Sequence, residues 1–321
     1  MRQKIGIGID LGGASLKYAL GNNRGEILKE GKRPSHAAEK PGIIINEISQ
    51  AILELVSYAK REGLEPLVIG MGTPGAVNIE TGVLKGSTPN FKYWRNVAIK
   101  NELENRVDLP VFVDNDANMM AIGEATYGAG IGHQNMICLT IGTGIGGGVI
   151  VNGELIRGSY YCGAELGHTT IKYDGLKCRC GGKGCLERYA SASAMIEFYD
   201  KKLVTHSSSE KKEMIDVEYI FEQMRSGNPT AIEVIEQSTY FLGRGIANFI
   251  NIFNPTIIII GGGVAEAGEI YLRKVEEVAF RYSMDSTKEY VKIVGAKLGN
   301  KAGCLGAMSF AFDQLARKIK L

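Results

Sequence analysis

Ile5-Gly6-Ile7-Gly8-Ile9-Asp10-Leu11-Gly12-Gly13 stands near the start of the chain, and Cys138-Leu139-Thr140-Ile141-Gly142-Thr143-Gly144-Ile145-Gly146-Gly147-Gly148 repeats its plan further on. Both read as strand, glycine turn, strand, so each half of the molecule opens with the same device. A glycine-rich hairpin turn lets backbone amides point at an anion, which can come close because no Cβ intervenes. Two such turns facing across a cleft would grip a polyphosphate from both sides. Either turn alone reads more readily as a tight hairpin with no ligand. Two copies, one with Asp10, Gly12 and Gly13 and the other with Thr143 and Gly144, favour the phosphate reading. Asp10 is suited to hold Mg²⁺ through water, and Thr143 to donate its hydroxyl to a phosphate oxygen. Lys17 either neutralises phosphate charge or extends into solvent.

Working outward, candidate strands at 4–10, 16–21, 26–33, 67–71, 111–114, 135–141, 147–151 and 256–260 alternate with helical stretches, the longest at 42–62 and 231–253. This order predicts a layered α/β architecture with largely parallel pairing. In 231–253 the apolar residues keep a period near 3.6, which makes that helix at least half-buried. Residues 201–218 are the most polar part of the chain and read as a solvated connection. The segment 142–147 formally contains G-x-G-x-x-G, but an extended pattern follows it where a dinucleotide fold needs a helix. A third glycine element, Gly261-Gly262-Gly263, follows an apolar strand and precedes a helix expected near Ala265. Gly262 and Gly263 either leave room for adenine and ribose or serve dense packing.

Two further stretches carry chemistry. Val111-Phe112-Val113-Asp114-Asn115-Asp116-Ala117-Asn118 runs from an apolar strand into a helix, with Asp116 at or near its N-terminus. A carboxylate there can orient a sugar hydroxyl and accept its proton during phosphoryl transfer, although Asp and Asn in this position also cap helices. Between Tyr160 and Ala192, Glu165 and His168 precede Cys178-x-Cys180-Gly-x-x-Gly-Cys185-x-Glu187. Three thiolates and one imidazole favour Zn²⁺ and close a tetrahedral structural site. Gly181 and Gly184 supply the backbone turns. Sugar recognition requires several fixed hydrogen-bonding groups, and Asn90, Asn115, Asp116, Glu165, His168 and Glu187 are the candidates. One metal would brace both glutamates. Cys138, Cys162 and Cys304 read as buried thiols.

The 321 residues, 45% apolar, suffice for about two domains. With 37 basic against 35 acidic residues, the net charge of +2 gives no footprint for nucleic acid or a membrane surface. No signal peptide or membrane span is expected, and a cytoplasmic protein is.

These motifs resemble the ROK proteins (repressor, open reading frame, kinase) of the actin, sugar kinase and heat-shock ATPase superfamily, over nearly the whole chain. Asp10-Leu-Gly-Gly resembles the first phosphate motif and Thr140–Gly148 the second. Gly72-Thr-Pro-Gly75 and Asn90 resemble the sugar-side loops, Asn115-Asp116-Ala-Asn118 the catalytic motif, and Glu165–Glu187 the zinc signature. The resemblance implies two RNase H-like, actin-type ATPase domains closing over a cleft, with a zinc-binding loop in the second. It implies an ATP-dependent hexose kinase acting on the 6-hydroxyl, glucose first, and a homodimer or higher homo-oligomer. Asp116 is then the base, with Gly75, Asn90, Asn115, Glu165, His168 and Glu187 at the sugar. An N-acetylmannosamine or other hexose kinase, a sugar-sensing repressor and an actin-like ATPase are the competing expectations. With the first motif at residue 5, a repressor's N-terminal helix-turn-helix is not expected. Two positions depart from the family: Ala14 replaces a threonine, with Ser15 beside it as a substitute hydroxyl, and Gly163-Ala164 reverses the usual order. The expected domains are 1–114 with 302–321, and 115–301.

Overall fold

The computed structural model describes residues 4–88, 91–206, 215–264 and 268–319. In β1 (Ile5–Leu11) the alternation of isoleucine and glycine becomes two unlike faces, because successive side chains point to opposite sides of a strand. Ile5, Ile7, Ile9 and Leu11 are buried in one cluster with Ile44, Ile48, Ile52 and Leu55 of helix α1 (Pro41–Arg61). The other face carries Gly6 and Gly8, and helix α10 (Ala302–Ile319) lies on it. A Cβ on Gly8 would overlap the Cys304 carbonyl, and one on Gly70 the Ala307 carbonyl. These glycines therefore serve an approach distance that any side chain would forbid.

Around β1 the first sheet adds β2 (Ser15–Asn22), β3 (Ile27–Pro34), β4 (Pro66–Thr73) and β9 (Val111–Asn115), in the order β3-β2-β1-β4-β9. β1, β2 and β3 pair antiparallel, whereas β1, β4 and β9 pair parallel. Two short hairpins, β5 (Ala76–Asn78) with β6 (Val83–Lys85) and β7 (Ser87–Thr88) with β8 (Phe91–Arg95), and helix α2 (Ile99–Glu104) lie between β4 and β9. Helix α3 (Asp116–Tyr127) follows β9 directly.

The second sheet repeats the plan. Its strands are β10 (Met136–Ile141), β11 (Ile145–Val151), β12 (Glu154–Leu155), β13 (Ile257–Gly261) and β14 (Lys292–Gly295), ordered β12-β11-β10-β13-β14. Again an antiparallel hairpin, β10–β11, adjoins parallel neighbours. The helices here are α4 (Glu187–Ala190), α5 (Ala192–His206), α6 (Val217–Arg225), α7 (Pro229–Phe253), α8 (Glu269–Tyr282) and α9 (Asp285–Lys288). Asn228 caps α7 by accepting from the Ala231 amide, Pro229 sits at its first position, and Asn254 ends it in the left-handed conformation at φ 43°. Ser238, a polar member of the buried stripe, shares a 3.0 Å hydrogen bond with Tyr271. Among the described residues no helix is long and apolar enough to cross a membrane.

The chain divides into two compact units, residues 1–132 with 155–164 and 297–321, and residues 133–154 with 165–296. The first unit is larger than the expected domain, because α3 and the 155–164 segment belong to it. α3 packs on α10 through glycines: a Cβ on Gly306 would overlap the Met119 carbonyl, and one on Gly123 the Ala302 carbonyl. Asp116 thus belongs to the first unit. The polar connection expected at 201–218 is partly helix, since α5 runs to His206 and α6 begins at Val217, while residues 207–214 lie outside the described residues. Helix α8 starts at Glu269, and Ala265, where it was expected, also lies outside them. Cys138 and Cys304 are buried, but Cys162 is exposed. Its thiol meets the Tyr160 carbonyl at 3.3 Å in an irregular segment.

Candidate active site

In the first unit the parallel strands bring distant residues into one row: Asp10 on β1 pairs with Gly72 on β4, and Gly72 with Asp114 on β9. All three sit at the C-terminal ends of their strands, where open α/β sheets bind ligands. The Gly12 amide donates to the Ser15 carbonyl at 2.9 Å, closing the first glycine turn, and the Gly13 carbonyl accepts from the Ser35 hydroxyl. Asp10 keeps only 19% of its side chain exposed, and a Cβ on Gly303 would come within 2.6 Å of its carboxyl carbon. Burial raises the Asp10 carboxyl above its ordinary range, with Lys17 pulling it back down. The Lys17 Nζ lies 4.0 Å from Asp10 and donates to Asn300 at 2.8 Å, so it does not simply extend into solvent.

Asn115 is the cap of α3, accepting from the amides of Ala117 and Asn118 at 2.9 and 3.2 Å. This leaves Asp116 at the first helical position, half-buried, with one oxygen 2.9 Å from the Ala117 amide. The Asn115 amide nitrogen also reaches the Gly75 carbonyl at 3.2 Å, which unites two predicted site residues. Beneath them Asp114, 2% exposed, accepts from Arg157 at 2.7 Å, from Asn118 at 3.0 Å and from the Asn115 amide. Neither Arg157 nor Asn300 was legible beforehand: they lie 43 and 283 residues from their partners, and no local pattern marks them. Asn90 lies outside the described residues.

In the second unit the turn Gly142–Ile145 connects β10 to β11, with the Gly142 amide bonded to the Gly144 carbonyl at 3.0 Å. Thr143 is exposed at its tip. Gly262, at φ 88°, lies against the end of β10, where a Cβ would overlap the Ile141 carbonyl, while Gly263 meets open space. For Gly262 close packing is therefore sufficient reason, whereas Gly263 has none of that kind. Glu187 sends one carboxylate oxygen to the Ile145 amide at 3.0 Å. Glu165 is exposed as a residue, yet desolvation raises its carboxyl, with His168 lowering and Glu187 raising it.

His168, Cys178, Cys180 and Cys185 converge, with one donor atom from each lying within 4.8 Å of the others. Cys178 Sγ is 3.7 Å from His168 Nδ1, and the Cys180 and Cys185 sulfurs are 3.6 Å apart. A tetrahedral ion with bonds of about 2.3 Å would put its sulfurs about 3.8 Å from each other, so the donors fit zinc. Gly181 and Gly184 adopt φ of 95° and 69°, the left-handed turns this loop requires. Burial, with the neighbouring sulfurs, pushes the Cys185 thiol up to about 12, whereas the Gly182 amide holds Cys180 below its usual value. A cation between these sulfurs would require them as thiolates and would offset their mutual repulsion.

Just before this loop the reversed pair has a local cost. Gly163 is held against the Arg157 backbone, where a Cβ would come within 2.9 Å, so the left-handed φ of 62° falls on Ala164.

The ROK family model matches residues 6–314. The chain is 38% identical to the glucokinase of Thermotoga maritima over 316 residues, covering 96% of this chain and 98% of that protein. It is 32% identical to the xylose repressor of Caldicellulosiruptor bescii, over 96% of this chain and 78% of the repressor. Its fold matches the crystal structure of a ROK family glucokinase from Streptomyces griseus in complex with glucose and AMPPNP, with a TM-score of 0.85 at 32% identity over 96% of this chain and 99% of that one. Two sheets of the same topology, paired glycine turns and the Cys–His cluster agree with a family model that runs almost end to end: this chain belongs to the ROK family.

Proposed function

We propose that the protein is an ATP-dependent hexose kinase that transfers the γ-phosphate to the 6-hydroxyl of glucose, with Asp116 as general base. The observation that carries this reading is the arrangement at the end of the first sheet. There Asn115 caps the helix, Asp114 is buried in its own hydrogen bonds, and Asp116 stands half-buried at the first position of α3. A carboxylate in that position accepts the proton of the attacking hydroxyl while the strand end holds it still. Phosphoryl transfer needs little beyond positioning and charge stabilisation. Asp10, Gly12, Gly13, Ser15 and Lys17 serve one side of the polyphosphate, Thr143 and Gly144 the other, and Gly262 and Gly263 the adenosine. Mg²⁺, held through Asp10, supplies neutralisation of phosphate charge. His168, Cys178, Cys180 and Cys185 would hold Zn²⁺, which would stiffen the segment that carries Glu165 and Glu187. These two, with Gly75, Asn90, Asn115 and His168, bond the sugar hydroxyls. The reading takes the two units as RNase H-like domains that close over the substrate and exclude water.

ADP release measured with glucose, N-acetylmannosamine, N-acetylglucosamine, allose, mannose and fructose tests the reaction and names the sugar. Asp116→Asn is expected to lower turnover by about two to four decades while the metal stays bound. Near-normal turnover in that variant overturns the assigned role. An N-acetylmannosamine or other hexose kinase of the same family is the runner-up, and behind it stands a sugar-sensing repressor, to which the similarity with the xylose repressor points. Association with duplex DNA at low salt, without sugar-dependent ADP release, would support it instead.

A further inference from the structure

Glu187 is a sugar residue in the reading above, yet its observed contacts lie on the nucleotide side. One carboxylate oxygen accepts from the Ile145 amide at 3.0 Å, across 42 residues of sequence. The same oxygen fills the space beside Gly144 that a Cβ would need, so the turn and the carboxylate are shaped to each other. Five residues on, the Ala192 amide donates to the Gly142 carbonyl at 2.9 Å. The segment that follows the last metal ligand, Cys185, therefore grips the Gly142–Ile145 turn at both of its ends. No other side chain bonds that turn among the described residues.

The geometry points to Glu187 as a positioning residue for the nucleotide: by holding the Ile145 amide it fixes the path of the glycine turn that receives the phosphates. A glycine turn has many accessible conformations, and ordering it on binding costs affinity unless something has ordered it already. Glu187 supplies that order from the metal-braced hairpin, so one carboxylate serves both substrates. Its second oxygen remains for the sugar. This inference rests on the kinase reading, and its test is arranged so that the two can fail separately.

The test is the affinity of the non-hydrolysable analogue AMPPNP with Mg²⁺, measured by calorimetry without any sugar, for the wild type and three variants. Glu187→Ala removes the acceptor. Glu187→Asp keeps the charge but loses the reach, and Glu187→Gln loses the charge but keeps an acceptor oxygen at the right length. Loss of a hydrogen bond of this kind is expected to weaken AMPPNP about tenfold in the alanine and aspartate variants, with the glutamine variant within about threefold of the wild type. Amide exchange across residues 142–147 should rise in the first two and stay low in the third. In steady state Glu187→Gln should raise KM for the sugar without raising KM for ATP, a split that a merely structural residue would not give. AMPPNP affinity within about twofold of the wild type in both the alanine and aspartate variants overturns the proposal and leaves the kinase reading intact. A wild-type protein that does not bind AMPPNP overturns both. Should the alanine variant fail to fold, the contrast between aspartate and glutamine decides alone.

Discussion

In the proposed role of Mg²⁺ holder, Asp10 would set function against stability at a single residue. Its carboxyl is shielded by Gly303 and the strand end, and Lys17 at 4.0 Å partly offsets its charge. Burial raises its pKa above the unfolded value of about 3.9, so the folded state binds the proton more tightly than the unfolded chain does. Stability from this group is then complete below about pH 4 and declines as the pH rises through the folded-state value. Asp10→Asn removes the charge without changing the shape. The ligand-free variant is expected to unfold at a higher urea midpoint than the wild type at pH 7. That advantage should shrink as the pH approaches 4, and sugar-dependent ADP release should be lost throughout. Equal midpoints at pH 7 would show that the buried carboxylate costs nothing. Ala164 carries local strain of another kind, a left-handed φ without glycine, because the glycine beside it lies against Arg157.

At the scale of elements, the first unit is assembled by helices that touch through glycine. Gly306 of α10 meets the Met119 carbonyl of α3, and Gly8 and Gly70 let α10 rest on the sheet. Helices so close exchange dispersion contacts along their backbones, and no flexible side chain can absorb an added methyl group. Gly306→Ala is therefore expected to cost about 1–3 kcal/mol in urea unfolding, in the range of overpacked cores. Because α3 begins with Asp116, turnover should fall as well, with sugar KM less affected. A variant as stable as the wild type would show that α10 can move away freely. The hairpin between β10 and β11 was readable as a turn from its glycines alone. That its amide is taken by Glu187 was not, since a residue 42 positions away leaves no periodic trace.

For the whole molecule the two units provide separate probes. Trp94, the single tryptophan, is fully buried in the first unit and donates to Thr73 at 2.9 Å, while the Cys–His cluster belongs to the second. If that cluster holds zinc, a chelator should lower the melting temperature seen by far-UV circular dichroism, because metal binding there is folding free energy. The tryptophan fluorescence transition should move less. Coincident shifts of both signals would mean that the chain melts as one cooperative body. The repeated hairpins, the long helices α1 and α7 and the metal donors were all present in the linear pattern, since strand alternation, helical period and ligand spacing are local. The assignment of α3 to the first unit was not, because packing against α10 decides it and those residues are far apart in the chain. Sequence by itself determined which residue types stood ready: two glycine turns, a carboxylate at a helix start, three thiols and an imidazole. Only the tertiary structure decided which amide Glu187 takes, which asparagine caps α3 and which arginine neutralises Asp114. Such pairings depend on distances through space, and the order of residues along a chain does not encode those distances locally.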